Sequence, residues 1–182
     1  MPGTIARCAL IAIALLAATS ADAQRYRRRA PREIERAPPA SVDKRDSIVA
    51  APGPYNGRPY WLALAQCGGI YFKLNALYTD AAVHARVVKP DPHANAEFTK
   101  KLNEAINIAT TYFNAAENFL RIDRGVERND AILTYDAQSR AAGERVKTIE
   151  AALAAAKACP ALYRACEAAH SKECSEPLMP LG

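Results

Sequence analysis

PHANAEFTKKLNEAINIATTYFNAAENFLR, residues 92–121, decides the fold class. Phe98, Leu102, Ala105, Ala109, Tyr112, Ala116 and Leu120 recur at steps of three and four, which places them in one stripe along an amphipathic helix. Asp91 offers a side-chain acceptor to the first free backbone N–H groups. Pro92 follows where its fixed backbone angle suits a first helical position and its missing donor is not needed. Gly125 supplies a stop, because a glycine just past a helix end takes the left-handed conformation without a steric penalty.

The same pattern extends both ways. A first helix is expected from about Arg58 to Val87, with Leu64, Cys67, Tyr71, Leu74, Leu77 and Ala81 on one side. Gly68-Gly69 interrupts it at a cost of roughly 1 kcal/mol per glycine relative to Ala, so the pair marks a kink or, as we favour, a close contact with a neighbouring helix. A third helix is expected from Asn129 to about Lys157, burying Ala131, Tyr135, Ala142, Val146, Ile149, Leu153 and Ala156, with one polar gap at Gln138-Ser139. Cys159-Pro160 then breaks the helix, and a short fourth one runs from Pro160 to His170. No strand pattern or long repeat appears. The fold class is therefore all-α: an antiparallel bundle of three long helices closed by a short C-terminal helix, spanning residues 55–175, with a flexible tail at 176–182.

Ahead of the bundle the composition changes. Residues 24–54 hold seven arginines and one lysine against four acids, with Pro31, Pro38, Pro39, Pro52 and Pro54 and few large apolar side chains. Such a stretch buries too little surface to offset chain entropy and reads as a basic, disordered linker preceding the bundle. It carries most of the formal charge of +5. Arg25, Arg27, Arg28 and Arg29 form its densest cluster, able to meet an anionic surface such as lipid headgroups or cell-wall polymer, though a solvated linker is the commoner role of such a run.

Residues 1–23 read as a signal peptide: Arg7, an apolar run from Cys8 to Ala18, then Ala21-Asp22-Ala23 ahead of Gln24. The apolar run is about half of the ~20 residues that a membrane-spanning helix needs. Cleavage would place the mature chain in the periplasm or outside the cell, which makes nucleic acid an improbable partner and leaves no transmembrane segment.

Export also bears on the cysteines. Cys67, Cys159, Cys166 and Cys174 remain after cleavage, an even number that reads as two disulfides. Cys159 and Cys166 on one helix would stand roughly 10 Å apart, beyond the ~7 Å limit for a bridge. Cys159 and Cys174 would sit at opposite ends of the short helix, which favours Cys67 with Cys159 and Cys166 with Cys174. One conflict stands against the first pair. If the first and third helices run parallel, Cys67 lies too low along the bundle to meet Cys159, unless Gly68-Gly69 bends the chain.

Other chemistry is sparse. Glu167 and His170 have the Glu-x-x-His spacing of carboxylate metal bundles, but no second copy accompanies them. No nucleophile elbow, phosphate-binding glycine loop or C-x-x-C motif is present, so no catalytic, cofactor or metal residue is assigned and no cofactor is expected. Asn103, Asn107, Asn114 and Asn118 form an amide row along one edge of the second helix, open to a sugar or peptide backbone but more often a solvated face. Tyr55, Tyr60 and Trp61 form either a contact patch or packing at the bundle's end. The expected function is that of a non-enzymatic exported helical module that binds or scaffolds, with an unknown protein or envelope component as partner. The alternative is a small-ligand or metal carrier using the bundle interior.

Overall fold

The computed structural model describes residues 40–50 and 53–175. The signal peptide, the arginine cluster Arg25, Arg27, Arg28 and Arg29, and the tail at 176–182 lie outside the described residues. The helices are α1 (Tyr60–Val83), continued by a π-helical turn (His84–Val88), α2 (Pro92–Asp123), α3 (Arg128–Glu144), α4 (Ile149–Ala156), α5 (Cys159–Ala169) and α6 (Ser171–Ser175). No described helix is long and apolar enough to cross a membrane.

Aromatic pairs fix the direction of the first hairpin. Tyr60 stacks on Phe119, Tyr71 on Tyr112 and Tyr78 on Phe98, so numbers rise along α1 as they fall along α2. The Asp91 carboxylate accepts from the Ala94 N–H at 3.0 Å, and Pro92 opens the helix behind it. At the other end Gly125 adopts φ +65°, and the Val126 N–H closes back on the Leu120 carbonyl. Both ends of α2 thus use the residues that the sequence supplies for them.

α3 runs antiparallel to α2, with Arg128 beside Glu117 and Tyr135 stacked on Phe113, and therefore parallel to α1. Gly68-Gly69 marks the contact. A Cβ at Gly69 would overlap the Ser139 backbone, and one at Gly68 would overlap the Phe113 ring. Gly143 completes the approach, its Cβ position lying 3.0 Å from the Gly69 carbonyl oxygen. The glycines let two backbones meet, and α1 continues as helix through them. Buried Ser139, in the polar gap of the stripe, stands at the crossing.

The third helix differs from expectation. It is not continuous to Lys157: α3 stops at Glu144, the chain turns through residues 145–148, and α4 begins at Ile149. Thr148 causes the restart by leaving helical geometry (φ −128°, ψ 161°) and accepting the Ala151 N–H on its hydroxyl. Val146 is buried in the turn. The break changes which residues face inward. Leu153, expected in the core, is 50% exposed, while Ala152 and Ala156 pack in one apolar cluster with Ile70, Leu74 and Tyr78.

This reversal also removes the conflict over the long-range disulfide. A straight helix would carry Cys159 about 24 Å beyond Gly143 at 1.5 Å per residue. Instead α4 returns along α1, and Cys159 joins Cys67 with their Cα atoms 5.8 Å apart. Cys166 and Cys174 form the second bridge at 6.1 Å.

The linker boundary at Tyr55 falls inside a packed segment. Residues 40–50 and 53–59 form a strap: the Val49 and Arg58 backbones bond, Ile48 pairs with Pro59, and Val49 is buried. Composition placed residues 40–50 in the disordered stretch because it counts apolar area. The strap is held largely by polar contacts, chiefly Asp46, whose fully buried carboxylate receives Arg124 Nε and Nη2 at 2.6 Å each.

Candidate functional site

The strap, α1, α2 and α5 converge around the Cys67–Cys159 bond. Tyr55 comes from the strap, and its hydroxyl stands 3.3 Å from Cys67 Sγ and 3.7 Å from Cys159 Sγ. Tyr71 of α1 stacks on Tyr112 of α2 at 5.6 Å between centroids, and Tyr163 of α5 meets Tyr112 edge-on at 5.3 Å. Three of the four tyrosines are thereby linked ring to ring, and the fourth, Tyr55, touches the disulfide.

Burial raises the pKa of all four phenols, most strongly that of Tyr112, because a phenolate loses its hydration there. They stay neutral hydroxyls over the ordinary pH range. Tyr163 donates to the Cys174 carbonyl. The Arg58 guanidinium lies 5.7 Å from the Tyr55 ring centroid and donates to Gln66 Oε1, and the charge of Arg164 acts on Tyr112.

Two buried carboxylates lie elsewhere, each held by arginine. Asp46 is bound by Arg124, whose guanidinium also lies 4.9 Å from the Trp61 ring centroid and donates to the Ser41 carbonyl. Glu117 sits inside the bundle with Arg128 Nε at 3.0 Å and Arg121 Nη1 at 3.7 Å, an ion pair without aligned hydrogen-bond geometry. At the surface of the strap, Arg45 hydrogen-bonds Asp43 and holds its carboxyl well below the usual range.

The residues singled out by sequence are dispersed. Asn103 and Asn107 are exposed, Asn114 is half-buried, and Asn118 is buried with its amide donating to the Glu173 carbonyl, so the row does not form one surface. Tyr60 and Trp61 are buried in the packing at the bundle's end, and only Tyr55 joins the cluster. His170 is half-buried with its ring edge-on to both Tyr60 and Phe119, while Glu167 is exposed. Among the described residues no three His, Cys, Asp or Glu side chains are gathered as a metal site. The tyrosine cluster escaped sequence reading because positions 55, 71, 112 and 163 share no local motif. Tyr71 and Tyr112 were legible only as members of two apolar stripes.

Compared with protein-family models, curated proteins and solved structures, the chain matches none.

Proposed function

We propose that the chain is an exported, non-enzymatic helical module, periplasmic or secreted, that binds or scaffolds a cell-envelope component with its basic arm reaching an anionic surface. One observation carries the reading: the buried polar groups are committed to architecture. Asp46 is locked to Arg124, Glu117 is flanked by Arg128 and Arg121, and all four cysteines of the bundle are joined in pairs. Such groups hold a shape. The two disulfides also fit a chain matured in an oxidising compartment, as the leader implies.

The arm is tested in the full mature chain by replacing Arg25, Arg27, Arg28 and Arg29 with Gln and measuring retention on phosphatidylglycerol vesicles. Each arginine near an anionic membrane contributes about 1 kcal/mol, so affinity falls at least tenfold, and high salt abolishes binding by the parent chain. Equal retention of parent and variant removes the arm from the reading.

A further inference from the structure

Asn56 is followed by Gly57 in the strap, and both residues are exposed. Asparagine is among the chemically labile residues, and this one is unlike the other seven in the chain. Each of those lies in α1, α2 or α3 and is followed by a residue with a side chain. A helix fixes the following N–H in its own hydrogen-bond ladder, away from the asparagine side chain. Asn56 instead stands in a turn closed by the Arg58 N–H on the Tyr55 carbonyl at 3.0 Å. Gly57 holds φ +75° there, with no described atom within 4 Å of the place a Cβ would occupy.

We propose that Asn56 is a site of spontaneous covalent modification, deamidation through a cyclic imide with Gly57, and that the product loosens the strap. The Gly57 backbone nitrogen gives its proton to base and attacks Asn56 Cγ. The new N–Cγ bond closes the ring, the Cγ–Nδ2 bond breaks, and ammonia leaves carrying a proton in place of the one lost. Water then opens the imide. Cleavage of the N–Cγ bond gives aspartate in an unaltered backbone. Cleavage at the other carbonyl gives isoaspartate, whose main chain runs through the former side chain and is longer by one methylene. Water is the only co-reactant, and nothing is oxidised or reduced.

The Gly57 N–H donates to the Val49 carbonyl at 2.9 Å, so the attacking nitrogen is held until that pairing opens. Opening the strap therefore paces the reaction, as local opening paces other events at segments of low cohesion. The isoaspartyl product does not restore the original fit. Its extra methylene falls between Tyr55, whose hydroxyl meets Cys67 Sγ, and Arg58, whose carbonyl accepts from Val49 and whose guanidinium bonds Gln66. The change acts where the arm joins the bundle, and it holds whatever the arm binds.

The test incubates the full mature chain, disulfides intact, in mildly alkaline buffer. Peptide mapping that separates asparagine, aspartate and isoaspartate follows the modification, and amide exchange at Val49 follows the strap. Conversion should concentrate at residue 56, spare the helical asparagines and slow on acidification. D46A frees the strap from Arg124 and should convert at least about tenfold faster with helix content unchanged, since reaction from an opened segment follows its population. R45A, which removes an exposed strap contact with the Arg124 carbonyl, should give a smaller acceleration. The aged parent should lose protection at Val49. N56Q closes a ring poorly, and fresh N56D adds charge without lengthening the backbone, so both should keep that protection. Failure of the native chain to convert while the urea-unfolded chain does, or conversion spread equally over the helical asparagines, would overturn the proposal. So would D46A and R45A converting no faster than the parent, or full protection at Val49 in the isoaspartyl form.

Discussion

The two ends of the α1–α2 hairpin have the same kind of helix under different regimes. At the disulfide end, every residue from Tyr60 to Ala65 is buried, and the strap, α5, α6 and a disulfide close over them. At the far end only Ala82 and Ala85 are buried between positions 82 and 90, while Val83, Val87 and Val88 stand 45%, 65% and 69% exposed. Apolar sequence alone does not distinguish these ends. What separates them is how many later segments return to cover each one.

If cohesion is concentrated at the covered end, the largest loss should come from opening its covalent closure. C67S/C159S removes a bridge across 92 residues, and closure of a loop near that length contributes about 4 kcal/mol in chain-entropy terms. Urea unfolding should show that loss, and an unchanged midpoint would show that noncovalent packing suffices. G69A comes next. Its new Cβ overlaps the Ser139 backbone, so α1 and α3 must separate, with a loss of about 3 kcal/mol on the scale of overpacked cores. Thermal melting of G69A beside an exposed helical control such as N107A would establish whether the crossing is as tight as described.

D46A should cost somewhat less, about 2 kcal/mol, since Arg124 keeps some solvent while the usual loss for a broken buried pair is larger. Trp61, the sole tryptophan and a neighbour of Arg124, should report the strap's release as a shift in fluorescence before the helices melt. Coincident fluorescence and circular-dichroism transitions would instead make strap and bundle one cooperative unit.

Alkaline pH probes the same end. Tyr112 has its pKa raised by burial; below the unfolded value near 10 both states are protonated and the full stability is present. Above it the unfolded chain ionises while the native phenol does not, so stability is lost as pH rises towards the folded pKa. At pH 11 the loss is about 1 kcal/mol for this phenol, and the part of the tyrosinate absorbance that Y112F removes should rise together with unfolding. If that part rises in a still-helical protein, the packing around Tyr112 is contradicted. Finally V87S and V88S at the bare end should each change stability by less than about 0.5 kcal/mol, as exposed substitutions do. A larger loss there would show that the two ends are not unequal.

How much of this was readable depends on whether the deciding contact is local. Asp91-Pro92 and Gly125 delimit α2 through atoms a few residues away, and the sequence identified both. The disulfide pairing could be argued from spacing, and Gly68-Gly69 announced a close approach. Thr148 was equally local, a cap followed by Glu150 in the first turn, but it was masked by alanines on both sides that favour continued helix. The strap was missed for another reason. Asp46 and Arg124 are 78 residues apart, and nothing near either one indicates that the other will share its burial. The tyrosine cluster has the same character, drawn from four segments by the tertiary fold.

The turn at residues 145–148 also sets the order in which the cysteines can be oxidised. Cys166 and Cys174 are separated by only eight residues and can meet as soon as their own segment forms. Cys67 and Cys159 meet only after α4 has doubled back along α1. In a chain still helical through the turn, an oxidant would find those two thiols far apart. The long-range bond therefore serves as a chemical record that the bundle has assembled.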